Sequence, residues 1–199
     1  MNDYFFDQWL LTINQKYNFL SYRLLTEDVA RFSLSDYLYI KMTILNLIFL
    51  NFFIILISYL FGSIPSGYVL TKYFSKIDIT KEGSRNIGAT NVLRSGSKRL
   101  AIFTLLLDAS KGIIPIIIFY NSTFSLILAG LSSFIGHNYP IWLKFNGGKG
   151  IATYLGISFA VSLKLGLIFI LIWLITALVS KTSSISSLLT IFLIPFISL

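Results

Sequence analysis

The sequence predicts an all-α fold, a polytopic membrane helical bundle, and three observations lead to that fold class. Only 12% of the 199 residues are charged and 55% are hydrophobic, whereas a soluble domain carries about 25% charged residues. The mean hydropathy is +0.78. Several apolar runs approach the ~20 residues that an α-helix needs to cross a bilayer. We expect five or six spanning or half-spanning helices with glycine-rich cytoplasmic loops.

The first part of the chain differs in composition from the rest. Residues 1–41 carry four basic and five acidic side chains, whereas residues 42–199 carry twelve basic and three acidic ones. The long apolar runs begin only after Met42. We therefore predict an N-terminal extension at 1–41, without an assigned role, and a membrane domain at 42–199.

The apolar runs define the order of the predicted helices. The predicted spans and part-spans are 44–61, 100–120, 124–141, the half-span 151–163, 165–179 and 185–199. Seven Lys or Arg side chains lie within residues 72–99. Because Lys and Arg are enriched in cytoplasmic loops, this segment is predicted to lie in the cytoplasm.

The segment GSRNIGATNVLR, residues 83–94, is polar and rich in glycine between two apolar runs. Small residues allow a compact loop whose backbone N–H groups converge on an anion, and an arginine offers a planar fork for phosphate. A loop that only sets topology would explain the lysines nearby, but not this cluster of hydroxyls and amides. The candidate anion-binding residues are Ser84, Asn86, Gly88, Thr90, Asn91 and Arg94.

Two ionisable residues interrupt the second predicted span. Asp108 and Lys111 are three residues apart, so they share a helix face and can pair. Ionisable residues at membrane depth are costly and usually face a protein interior or a cavity. Two interpretations stay open: a structural ion pair, or a lysine that helps to line an anionic site.

The segment GHNYPIWLKFNGGKG, residues 136–150, follows the third predicted span. It lacks the first glycine and the Ser or Thr of a P-loop, which argues against nucleotide hydrolysis. Lys149, next to Gly147 and Gly148, is a cation on backbone that can approach a ligand closely. His137 is either a general base or a hydrogen-bonded histidine at a helix end.

The composition also excludes some classes of site. The chain has no cysteine and one histidine, so no disulfide framework, Cys-based metal site or multi-His metal site can form. We expect no metal, cofactor or nucleic-acid partner. The segment GSIPSGY, residues 62–68, is typical of a helix end that allows close backbone approach.

Together, GSIPSGY, GSRNIGATNVLR, LDASKG and GHNYPIWLKFNGGKGIAT resemble the PlsY family of bacterial membrane acyl-phosphate:glycerol-3-phosphate acyltransferases. The resemblance implies an enzyme of phospholipid synthesis in the bacterial inner membrane that makes lysophosphatidic acid from acyl-phosphate and glycerol 3-phosphate, without a cofactor. It implies substrate-binding roles for Ser84 and Arg94, and contact of Lys149 with the glycerol phosphate. No residue is assigned as catalytic, because the departing phosphate can accept the proton. The supporting residues are Asp108, Lys111, His137, Gly147 and Gly148.

The chain departs from the family pattern in two places. Arg85 stands where glycine is common, and we expect it to add a cation beside the anion site. Family members continue past an apolar run such as 185–199 into a tail with a His-Arg-Glu-Asn-like motif, so we expect a C-terminally truncated member. Two alternatives stay open: an inactive remnant of the enzyme, and an anion transporter or channel.

Overall fold

The computed structural model describes residues 34–197, and within them the regular structure is entirely helical. In chain order the elements are α1 Leu34–Gly62, α2 Ser66–Leu70, a π-helical turn Thr71–Ser75, α3 Ala89–Arg94, α4 Lys98–Phe119, α5 Thr123–Asn138, a 3-10 turn Ile141–Leu143, α6 Ile151–Val161, α7 Leu163–Ser180 and α8 Ser183–Ile197. The predicted all-α class is confirmed. Most of the predicted extension at 1–41 lies outside the described residues.

Three described helical stretches are long and apolar enough to cross a membrane: the run Leu34–Ser75, α4 and α7. The helices α6 and α8 are apolar but shorter, as the predicted half-span at 151–163 suggested. The predicted span 124–141 was too long, because α5 ends at Asn138 after 16 residues. The cause is Pro140, which disfavours helical backbone at the residue before it; Tyr139 accordingly has φ −128° and ψ 64°.

Glycines bring the helices into close contact. A Cβ on Gly156 of α6 would collide with the carbonyl oxygen of Ala109 on α4, and one on Gly112 would collide with the carbonyl of Thr153. Helices in lipid associate through small residues, because backbones can then approach closely. The interface of α4 and α6 therefore depends on having no side chain at these positions.

The GSIPSGY segment ends α1 as predicted. Gly62 packs against the backbone of Ser133 on α5, and Gly67 of α2 packs against the carbonyl of Ile87. Pro65 precedes the first residue of α2. The contact at Gly62 joins α1 to α5, and the contact at Gly67 attaches α2 to the loop that carries the GSRNIGATNVLR motif.

A small apolar core lies beneath that loop. Ile79, Ile87 and Val92 are buried with Ala101 of α4, and Tyr68 packs against them. Their burial stabilises the loop, at about 25 cal/mol per Å² of apolar surface removed from water. The loop is thus anchored between α2 and α4, within the compact unit formed by the described residues from Phe49 onward.

Candidate active site

A cavity of about 720 Å³ lies where the loop, α4, α6, α7 and α8 meet. All seven residues predicted from the sequence to bind substrate line it: Ser84, Asn86, Gly88, Thr90, Asn91, Arg94 and Lys149. Residues from 84–94 and from position 149 are far apart in the chain, so the fold brings two separate motifs into one site.

Asn91 organises the loop. Its side chain is 2% exposed, and its Oδ1 accepts a hydrogen bond from the Ser84 backbone N–H at 2.9 Å. Its Nδ2 lies within hydrogen-bond distance of three backbone carbonyls, those of Ile79, Glu82 and Asn86. These contacts use the hydrogen-bonding groups of the amide, so its observed role is to hold the loop around Ser84.

Local turns complete the loop. The Thr80 hydroxyl donates to Asp78 Oδ1, and this bond lowers the pKa of the Asp78 carboxyl. The backbone N–H of Gly88 donates to Asn86 Oδ1 at 3.1 Å, immediately before α3 begins. The loop is therefore shaped by short-range side-chain bonds to the backbone, as is usual for Asn, Asp and Thr.

Arg85 does not add a cation to the cavity, contrary to the expectation from the sequence. The side chain is exposed, and Arg85 is not among the residues that line the cavity. Its backbone is left-handed, with φ 59°, a conformation that side chains other than glycine adopt at a cost of roughly 1–2 kcal/mol. That conformation explains in physical terms why glycine suits this position.

Three cations line the polar end of the cavity: Arg94, Lys98 and Lys149. The Nζ of Lys149 donates to the Ser184 hydroxyl at 2.9 Å, and the Ser183 hydroxyl donates to Thr90 Oγ1 at 3.4 Å. The start of α8 is therefore tied to both motifs. Sequence reasoning missed Lys98, Ser183 and Ser184, because it counted Lys98 only among the cations that set topology, and the two serines lie between predicted spans without a recognisable motif.

Asp108 and Lys111 form an ion pair inside the helical bundle, and each residue is 2% exposed. Asp108 lines the cavity, but Lys111 does not. Of the two interpretations that the sequence left open, the structure therefore has the ion pair, and Lys111 is not among the residues that line the cavity. The physical reason is that a buried lysine without a partner would be strongly unfavourable, and Asp108, one helical turn away, is that partner.

His137 lies beside this pair. Its ring is 3% exposed, and Nδ1 is 3.7 Å from Asp108 Oδ1, which is longer than a hydrogen bond. Gly148 packs against the imidazole and Gly147 against the His137 carbonyl, while the Gly148 N–H donates to that carbonyl at 3.1 Å. The two glycines do not line the cavity; they allow the 145–150 segment to pack on His137 and so set the place of Lys149.

The other end of the cavity is apolar. Leu105 of α4 and Leu174 of α7 line it, although they are 42% and 48% exposed. Trp173 also lines the cavity, and its indole N–H donates to the Ser187 hydroxyl at 3.3 Å. These two leucines therefore lie on the exposed surface of two apolar helices as well as in the cavity wall. The cavity therefore combines a cationic end with an apolar end formed by residues of α4 and α7.

Within residues 34–197, no group of three or more His, Asp or Glu side chains is placed to hold a metal ion. What the arrangement can do chemically follows from its two ends. The polar end offers cations, hydroxyls and amide groups to an anion, and the apolar end offers a surface for a hydrocarbon chain.

Comparison with known proteins gives consistent matches to one family. Residues 52–199 match the family model of glycerol-3-phosphate acyltransferase. The chain is 53% identical over 139 residues to the glycerol-3-phosphate acyltransferase of Pelagibacter ubique, spanning 69% of this chain and 73% of the relative. It is 48% identical over 143 residues to that of Rhodopseudomonas palustris, spanning 71% and 73%.

The chain belongs to the glycerol-3-phosphate acyltransferase family. A solved structure of PlsY, an integral membrane glycerol 3-phosphate acyltransferase in its glycerol 3-phosphate form, is similar with a TM-score of 0.69 and 38% identity, covering 74% of this chain and 77% of that one. Its lysophosphatidic acid form is similar with a TM-score of 0.66. The resemblance to this family is confirmed, and the matches do not favour a transporter or an inactive remnant.

Proposed function

We propose that this acyltransferase moves an acyl group from an acyl-phosphate to glycerol 3-phosphate, giving lysophosphatidic acid and inorganic phosphate, at the cytoplasmic face of a bacterial inner membrane. The observation that carries the proposal is the two-ended cavity. Both substrates carry phosphate, which suits the cationic end, and the donor carries a hydrocarbon chain, which suits the apolar end.

The cationic end holds the phosphate groups in this proposal. Arg94 and Lys149 supply charge, with Lys98 as a third cation at the same end. The hydroxyls of Ser84, Thr90 and Ser184 supply further hydrogen bonds. Hydrogen bonds that involve an ionised group are about twice as strong as neutral ones, so the cations account for most of the affinity for glycerol 3-phosphate.

The chemistry needs little from a side-chain base. The hydroxyl oxygen of glycerol 3-phosphate attacks the acyl carbonyl, and the bond between that carbonyl and the phosphate oxygen breaks. Phosphate is a good leaving group and can accept the hydroxyl proton as it departs. Holding the two substrates in line then contributes much of the rate, and donors at the polar end stabilise the developing negative charge.

The orientation follows from the charges around the loop. Seven Lys or Arg side chains lie within residues 72–99, and loops of this kind stay on the cytoplasmic side. Glycerol 3-phosphate is a water-soluble anion that would enter at this polar end. The acyl-phosphate would enter from the bilayer, between α4 and α7.

The test is acyl transfer by the purified full chain reconstituted in nanodiscs with radiolabelled glycerol 3-phosphate. With palmitoyl-phosphate we expect lysophosphatidic acid and inorganic phosphate in equal amounts, and with palmitoyl-CoA we expect no product. Equal rates with the two donors would contradict the proposed donor. Absence of product with either donor would contradict acyl transfer by this chain.

A matched pair of arginine variants examines the cavity itself. Arg94→Ala removes a cation from the cavity and should abolish activity. Arg99→Ala removes an exposed cation five residues away that does not line the cavity, and it should leave the rate within about twofold. Equal losses in the two variants would show that general surface charge, rather than this cavity, governs activity.

A further inference from the structure

A second cavity, of about 340 Å³, lies on the surface beside α2. It is lined by Ile64, Pro65, Tyr68, Val69, Lys72, Tyr73, Trp142 and Leu143. None of these residues lines the first cavity. Its size falls within the 300–1,000 Å³ of ordinary ligand sites, and its walls combine aromatic rings, aliphatic side chains and one lysine.

The lysine that lines this cavity, Lys72, is held in place and keeps further hydrogen-bond donors for a ligand. Lys72 Nζ donates to the Tyr68 phenolic oxygen at 2.9 Å, and it lies 5.1 Å from the centre of that ring. An ammonium group has three donors, and a phenol that accepts through its oxygen keeps its own O–H. Together Lys72 and Tyr68 can therefore donate several hydrogen bonds to one anionic group.

The surroundings indicate that this anion belongs to a lipid. Lys72 and Tyr73 fall in the last turn of the helical run Leu34–Ser75, where that run meets the basic segment 72–99. Tyr73 is 69% exposed and Trp142 is 62% exposed. Tyr and Trp favour the headgroup level of a bilayer, and lysines next to a membrane attract anionic lipids.

The backbone at this place is unusual as well. Lys72 and Tyr73 belong to the π-helical turn Thr71–Ser75, and π-helical turns are rare and occur often at functional sites. α2 also packs through Gly67 against the Ile87 carbonyl of the 83–94 loop. A ligand in the second cavity would therefore contact α2 close to the loop, because Tyr68 lines this cavity and also packs against the buried core that contains Ile87.

We propose that this second cavity binds the phosphate group of an anionic phospholipid from the adjoining leaflet. Lys72 and Tyr68 donate to the phosphate, and Trp142 with Val69 contacts the upper part of the acyl chains. The apolar walls of the cavity suit lipid chains. A free phosphate ion would leave those walls without a contact. This site is separate from the acyl-transfer cavity, and its occupation does not depend on catalysis.

The test is native mass spectrometry of the full chain in micelles containing equal amounts of phosphatidylglycerol and phosphatidylcholine. We expect the wild-type chain to retain phosphatidylglycerol preferentially. Lys72→Gln should lower that preference about tenfold, and Tyr68→Phe should lower it about threefold while keeping the ring. The matched control is Lys76→Gln, which removes an exposed cation four residues away that does not line the cavity, and it should change the preference less than twofold.

Three outcomes would overturn the proposal. Equal losses for Lys72→Gln and Lys76→Gln would mean that general surface charge attracts the lipid. Displacement of the lipid by millimolar inorganic phosphate or glycerol 3-phosphate would mean that the cavity takes a free anion. Loss of the lipid in Arg94→Ala, with normal retention in Lys72→Gln, would place the lipid in the first cavity. Thermal unfolding of each variant in the same micelles confirms that all of them are folded.

Discussion

Replacing Asn91 with alanine removes the side chain that holds the 83–94 loop together. The four backbone groups that lose a partner are the Ser84 N–H and the carbonyls of Ile79, Glu82 and Asn86. Ser84 and Glu82 are exposed, whereas Ile79 is fully buried. Water can therefore replace some of the lost bonds, but not the one at Ile79.

The size of the destabilisation follows from which of these four backbone groups water can reach. A buried polar group without a partner costs about 1–3 kcal/mol, and each of the remaining bonds contributes about 0.5–1.5 kcal/mol. A total of about 3 kcal/mol destabilises the ordered loop by roughly 150-fold, at about 1.4 kcal/mol for each factor of ten. Because binding needs the ordered loop, the apparent affinity falls with its population, and we expect KM for glycerol 3-phosphate to rise about 10- to 100-fold.

The decisive assay is hydrogen exchange of the loop amides in ligand-free protein, measured beside the acyl-transfer kinetics. Asn91→Ala should speed exchange across residues 83–91 before any substrate is added. The matched control is Asn146→Ala, an exposed loop asparagine whose Nδ2 donates to the Lys144 carbonyl, and it should change neither measurement. A raised KM with unchanged exchange would refute the reasoning, because Asn91 would then act as a direct ligand contact.

Three further predictions concern the loop, the packing and the cationic end. Arg85→Gly should raise the free energy of unfolding by about 0.5–1 kcal/mol, because the relief of the positive φ outweighs the larger backbone entropy that glycine loses on folding. A lower midpoint of thermal unfolding in detergent would contradict this prediction. Gly156→Ala should lower the free energy of unfolding by about 1–3 kcal/mol, because the added methyl group overpacks the interface of α4 and α6. Gly88→Ala, whose Cβ would meet only an ordinary contact at 3.5 Å, should unfold at the wild-type temperature. Equal unfolding midpoints for the two variants would argue against the close helix packing. Lys149→Ala should lower kcat/KM for glycerol 3-phosphate about 30-fold, as loss of a charge-assisted bond of about 2 kcal/mol implies. Lys144→Ala removes a cation outside the cavity and should leave kcat/KM unchanged. Similar values for the two variants would exclude a specific role of Lys149.

The sequence predicted the helical class and the candidate site from local information. Apolar runs of near-spanning length indicate membrane helices wherever they fold, because the requirement comes from the bilayer. The 83–94 loop is also encoded locally, since Asn86 and Asn91 bond to backbone groups at most twelve residues away. The end of α5 was missed because a single proline outweighed the apolar pattern around it.

Only the tertiary structure decided which side chains meet. Lys98 and Ser184 join the cavity because α4 starts beside the loop and α8 returns to it after α7, and no spacing in the chain encodes that return. Lys111 is excluded from the cavity for the same reason, since its direction depends on which face of α4 packs in the bundle. A sequence by itself therefore determines which groups are available and which segments are helical, while long-range packing determines the few that share one cavity, because those contacts depend on how whole helices fit together.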